Sequence, residues 1–142
     1  MFNRSKHGIA ISRDVDAFMR SLNIPSRPIE VWWEETPVGV AGGIGPTDYT
    51  VRAVLHFDAA TVAALVKGAS PLPGNPALFS TAADRPWLPP AVRAAIHPYD
   101  DHSIAVQGAK FDAQPFLKPP YTSGAFIVIQ GGEYIFLSVR TS

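Results

Sequence analysis

The chain contains no cysteine, which excludes disulfide staples, thiolate nucleophiles and the Cys-rich zinc sites of small metal-bound domains. Neither charge is in surplus. Twelve Lys and Arg balance twelve Asp and Glu, with no basic run able to neutralise a row of phosphates, so no nucleic-acid partner is expected. No stretch approaches the ~20 apolar residues of a spanning helix, and no apolar run follows the basic residues Arg4, Lys6 and His7, so neither a membrane nor a signal is expected. A soluble protein follows, with the cytoplasm as the default compartment.

What is present suits one globular domain over residues 1–142. An apolar fraction of 46% can build a core, and a charged fraction of 17% is below the usual level of about 25%. Fourteen prolines and eleven glycines point to many turns without reaching the roughly 25–30% of low-complexity chains.

The apolar pattern changes period along the chain. Val15, Phe18, Met19 and Leu22 recur at helical spacing behind Ser12, a possible N-cap, and Pro25 and Pro28 end that helix. Ile29 to Glu35 has strand composition, stopped by Thr36-Pro37. A glycine-rich connection, Gly39 to Pro46, leads to the cleanest alternation in the chain. There Tyr49, Val51, Ala53, Leu55 and Phe57 share one face of a strand, and Asp48, Thr50, Arg52 and His56 the other. Asp58 caps a second helix with Val62, Leu65 and Val66 inward and Gly68 at its end. The prolines between Ala69 and Pro90 predict a loop or isolated edge segment, and a third helix starts near Pro90. Ser103 to Gln107 reads as a strand, then a proline-rich link carries Phe116 and Tyr121 over the surface. Ala125 to Gln130 and Glu133 to Arg140, separated by Gly131-Gly132, predict a two-residue hairpin in mid-sheet. The expected class is α+β: an antiparallel sheet of about five strands, with two or three short helices packed on one face and Pro-rich loops on the other.

No catalytic motif stands out. Gly42-Gly43-Ile44-Gly45 is followed by Pro46 and a strand, not by the helix N-terminus that a phosphate loop needs. No serine sits in a Gly-x-Ser-x-Gly elbow, and Lys118-Pro119-Pro120-Tyr121 misses the Pro-Pro-x-Tyr spacing by one residue. The densest polar group is His97-Pro98-Tyr99-Asp100-Asp101-His102, able in principle to bind a metal or move a proton. Its spacing matches no ligand motif, and a solvated turn between helix and strand needs the same residues. Adjacent Trp32 and Trp33 must point to opposite faces of their strand. One of them is thus a candidate interface anchor, beside Glu34.

These features lead to a binding protein that docks on a protein partner through Trp32 or Trp33, Glu34, Tyr99, Asp100, Asp101 and His102, with no cofactor or metal expected. A compact, cysteine-free α+β chain without a catalytic set resembles, in general make-up, the small bacterial neutralising proteins such as immunity proteins of toxin systems. The rival expectation is a small metal-dependent hydrolase or ligand-binding enzyme in which His56, His97, Asp100, Asp101 and His102 converge in one pocket.

Overall fold

The computed structural model describes residues 11–38, 48–129 and 131–141. The glycine-rich connection after Val38 and the segment containing His7 lie outside them. Among the described residues the architecture is α+β, with eight strands in two antiparallel sheets.

The first helix, α1 (Val15–Ser21), is capped by Asp14, whose carboxylate accepts the Ala17 N–H, and not by Ser12. Ser12 instead forms a bridge to Trp33, exchanging both backbone hydrogen bonds with it. That bridge covers part of the outer edge of β1 (Glu30–Val38), where free N–H and C=O groups would otherwise invite a foreign strand. Thr36-Pro37 does not stop β1. As the edge strand it tolerates a proline that cannot donate, and it pairs with β2 (Asp48–His56) as far as Val38↔Asp48. Helix α2 (Ala59–Lys67) starts at the Asp58 cap and ends at Gly68, with Val62 buried, as its pattern predicts.

Two segments, one expected as a loop or isolated edge segment and one as a proline-rich link, pair into sheets. Ala77–Ser80 is a strand, β3, followed by a 3-10 turn at Thr81–Ala83 and the short helix α3 (Pro90–Arg93). Next come β4 (Ile96–Pro98) and β5 (Ser103–Val106), so Tyr99 to His102 joins two strands instead of a helix and a strand. Gly108–Asp112 forms β6. The chain passes from β5 to β6 across Gln107 alone. At Gly108 φ is +158°, and a Cβ there would collide with the Val128 carbonyl, so only glycine lets the strand swing so close to its neighbour. Phe116 and Tyr121, expected on the surface, are buried under the large sheet.

The terminal hairpin, β7 (Ser123–Ile129) and β8 (Tyr134–Arg140), occupies mid-sheet as expected. Its connection is longer than two residues, and Gly131 and Gly132 carry the positive φ values of the turn, 108° and 79°. The large sheet has the order β1-β2-β8-β7-β6 and the small one β3-β5-β4.

Alternation then divides the large sheet. Val51, Ala53, Leu55, Phe126, Ile135, Leu137 and Val139 face α1, α2 and Phe116 in one core cluster. Val54, Ile127, Ile129 and Phe136 face the small sheet and α3, with Phe79, Val92, Ile104 and Val106 opposite. Helices thus cover one face, as expected. The other is covered by a second sheet and α3 where Pro-rich loops were expected.

Candidate functional site

The two sheets do not pack along their whole length. Where Val54, Phe136 and Ile127 oppose Phe79 the interface is dry, and Phe79 meets Phe136 edge-on with ring centroids 5.0 Å apart. Towards Thr50 and Arg140 the apolar residues give way to polar ones, and a cleft of about 610 Å³ opens between the sheets.

Register places the polar side chains. Arg52 pairs with Ser138 and Thr50 with Arg140, while Ser123 pairs with Arg140 and Ala125 with Ser138. With side chains alternating across a strand, all six point to the small-sheet side. Arg52 and Arg140 are diagonal neighbours, a relation that sets residues roughly 7–8 Å apart. Lys110, opposite Ile127 on β6, enters from the far side. Ser80, His102 and Ser103 of the small sheet and its hairpin close the mouth. Among the described residues the lining therefore holds Arg52, Lys110 and Arg140 and no carboxylate.

The cations are differently engaged. Arg140 Nε donates to Ser123 Oγ at 3.2 Å. Lys110 Nζ donates to the Leu78 carbonyl at 2.7 Å and lies 5.4 Å from the Phe79 ring centroid. Burial lowers the Lys110 pKa. Arg52 is the least satisfied: its Nε is buried and has no hydrogen-bond partner among the described residues. Burial pushes the Arg52 guanidinium down, nearby Glu34 pulls it back up, and Arg85 pushes it down again.

Glu34 explains why Arg52 remains short of a partner. It is fully buried, accepting Arg85 Nε at 2.6 Å, Arg85 Nη2 at 3.3 Å and Trp87 Nε1 at 2.8 Å. The carboxylate opposite Arg52 in register is thus already engaged by a forked guanidinium and an indole. Nearby Asp112 turns its carboxylate to the Gln114 N–H.

The residues singled out from sequence scatter. Trp33 is 5% exposed, packs on Phe18 and donates its indole N–H to the Asp14 carbonyl. With Glu34 also buried, neither presents a surface to a partner, and both leave the expected docking set for one physical reason: each fills a space between layers. Trp32 is half-buried, with the Arg13 guanidinium 4.2 Å from its ring centroid and Tyr134 beside it. Tyr99, Asp100, Asp101 and His102 are exposed on the β4–β5 turn, where Asp100 accepts the His102 N–H. That bond keeps the Asp100 carboxyl below its ordinary pKa. Of the four, His102 reaches the cleft.

The histidines expected to converge in a hydrolase are separated. His56 lies at the other end of β2 from Thr50, about 20 Å away at ~3.3 Å per residue. It stacks on Tyr134 at 4.5 Å between Glu30 and Glu133. His97 is an exposed residue of β4. Among the described residues no group of three or more His, Asp or Glu is placed to hold a metal ion.

Sequence reasoning passed over Arg52, Lys110 and Arg140, treating Arg52 as part of a solvent-facing strand surface. The available signal was an arginine among the apolar residues Val51, Ala53, Val54 and Leu55, mirrored by Ser138 and Arg140 in the terminal strand. Searches against family models, curated proteins and solved structures return no match.

Proposed function

We propose that the protein is a binding domain that receives an anionic group of its ligand in the cleft between its two sheets. The observation that carries this reading is a cleft whose lining, among the described residues, holds Arg52, Lys110 and Arg140 and no carboxylate. An anion entering the cleft meets the Arg52 and Arg140 guanidiniums, which form charge-assisted hydrogen bonds with such groups. Hydroxyls of Thr50, Ser123 and Ser138 supply further donors.

The test is thermal unfolding against millimolar phosphate at constant ionic strength, with the variants Arg52→Met and Arg140→Met beside the parent. A ligand that binds only the folded state at one hundred times its Kd adds about 2.7 kcal/mol. Phosphate at high concentration also stabilises proteins by exclusion from their surfaces, so the informative quantity is the shift that the variants lose. An equal shift in all three proteins contradicts the reading.

A second reading, docking on a protein partner as the neutralising proteins do, has one observation behind it. Tyr99 is 55% exposed at a turn held in shape by Asp100, which suits an aromatic anchor beside carboxylates and a partner carrying basic groups. Under that reading the double variant Tyr99→Ala, Asp101→Ala loses a partner that Arg52→Met retains.

A further inference from the structure

We infer that the group held in this cleft is the phosphate of a monoester whose alcohol part is apolar, with the phosphate between Arg52 and Arg140 and the apolar part against Leu78 and Phe79. The inference rests on the reading of the cleft as an anion site and adds the ligand's class to it. Charge comes first. Among the described residues Arg52, Lys110 and Arg140 line the cleft without a carboxylate, and Glu34 is committed to Arg85 and Trp87. A carboxylate ligand brings one negative charge and leaves most of that field unbalanced. A phosphate monoester brings about −1.5 to −2 at neutral pH and three acceptor oxygens.

Geometry comes second. Arg52 and Arg140 stand on neighbouring strands at diagonal positions, with Ser138 and Ser123 as their direct cross-strand partners. That arrangement surrounds one tetrahedral anion with two guanidiniums and two hydroxyls.

Size and polarity come third. A volume of about 610 Å³ is that of a site for a small organic molecule, typically ~300–1,000 Å³, and is far more than inorganic phosphate fills. Away from the arginines Leu72, Leu78, Phe79 and Ala125 line the cleft, with Ser80, His102 and Ser103 at its mouth. Lys110 is already occupied there by the Leu78 carbonyl and the Phe79 ring. The space beyond the phosphate position therefore offers apolar surface between polar groups, and an apolar substituent gains from covering it.

The experiment is isothermal titration of the whole chain with three probes: inorganic phosphate, 1-naphthyl phosphate and 1-naphthoate. 1-Naphthyl phosphate is expected to bind at least tenfold more tightly than either of the others, and Arg140→Met to weaken it at least tenfold. Arg140 is exposed, so that variant keeps the test valid should Arg52→Met fold poorly. Equal affinity for inorganic and naphthyl phosphate overturns the apolar-ester inference while leaving the anion reading standing. Equal affinity for naphthoate and naphthyl phosphate overturns the choice of phosphate. Absence of binding by all three overturns the anion reading together with everything built on it.

Discussion

Leu137 and Ser138 are neighbours on β8 and face different worlds. Leu137 is fully buried in the helix-covered face of the large sheet, where helices, strands and the turn at Phe116 meet without a polar interruption. Ser138 points the other way, into the cleft between the sheets. On the helix-covered face stability comes from apolar area and close packing. On the small-sheet face only the end around Phe79 and Phe136 is built that way. The other end keeps cations, hydroxyls and open volume in place of close apolar packing. One sheet thus separates the part of the molecule that holds it together from the part available for a ligand.

Substitutions can break or sharpen this division. The largest effect is expected from Phe126→Ala on the helix-covered face, where the ring stacks near Phe111 and Phe116. A loss of about 3–5 kcal/mol should appear in urea unfolding, with anion binding intact in the folded fraction. Next is Glu34→Ala, which strips Arg85 of its partner and leaves Arg52 facing a second cation. Breaking a buried pair from one side costs about 3 kcal/mol or more, again read by urea unfolding, although Glu34 lies on the cleft side of the sheet. Ser138→Ala should change stability by less than about 0.5 kcal/mol and weaken phosphate binding severalfold in calorimetry. A large stability loss there would erase the distinction between the faces.

The smallest expected effect is on pH dependence at the α2 cap. The Thr61 N–H holds the Asp58 carboxyl below its ordinary pKa. Its contribution is therefore complete above the unfolded value of about 3.9 and is lost as pH falls through the lower folded value. Asp58→Asn, which still caps, should flatten that limb of the acid unfolding curve and leave stability near neutral pH almost unchanged.

How far the fold was legible follows the same division. The alternation from Tyr49 to Phe57 is a local pattern, as are the Asp58 cap and the apolar hairpin around Gly131-Gly132, and all three are where the sequence places them. Local patterns fail where pairing depends on distant chain. β3 sits among prolines and β6 between Gly108 and Pro115, and each becomes a strand because a partner lies alongside: Phe79↔Ile104 and Phe111↔Phe126. The cleft is harder still to read. Arg52, Lys110 and Arg140 are far apart in sequence and meet through the strand order β2-β8-β7-β6, which no spacing rule encodes. Glu34 looked like part of an acidic surface because its partners, Arg85 and Trp87, lie some fifty residues away in a proline-rich stretch.

The most direct test of the account is Arg52→Met, measured twice: unfolding free energy without added anion, and calorimetric titration with phosphate. Removing a buried guanidinium whose Nε has no partner should leave stability unchanged or raise it by roughly 1 kcal/mol, while phosphate binding falls at least tenfold. A stability loss above about 2 kcal/mol with phosphate affinity unchanged would contradict the account, making Arg52 a structural partner of Glu34 and the cleft an incidental gap between two sheets.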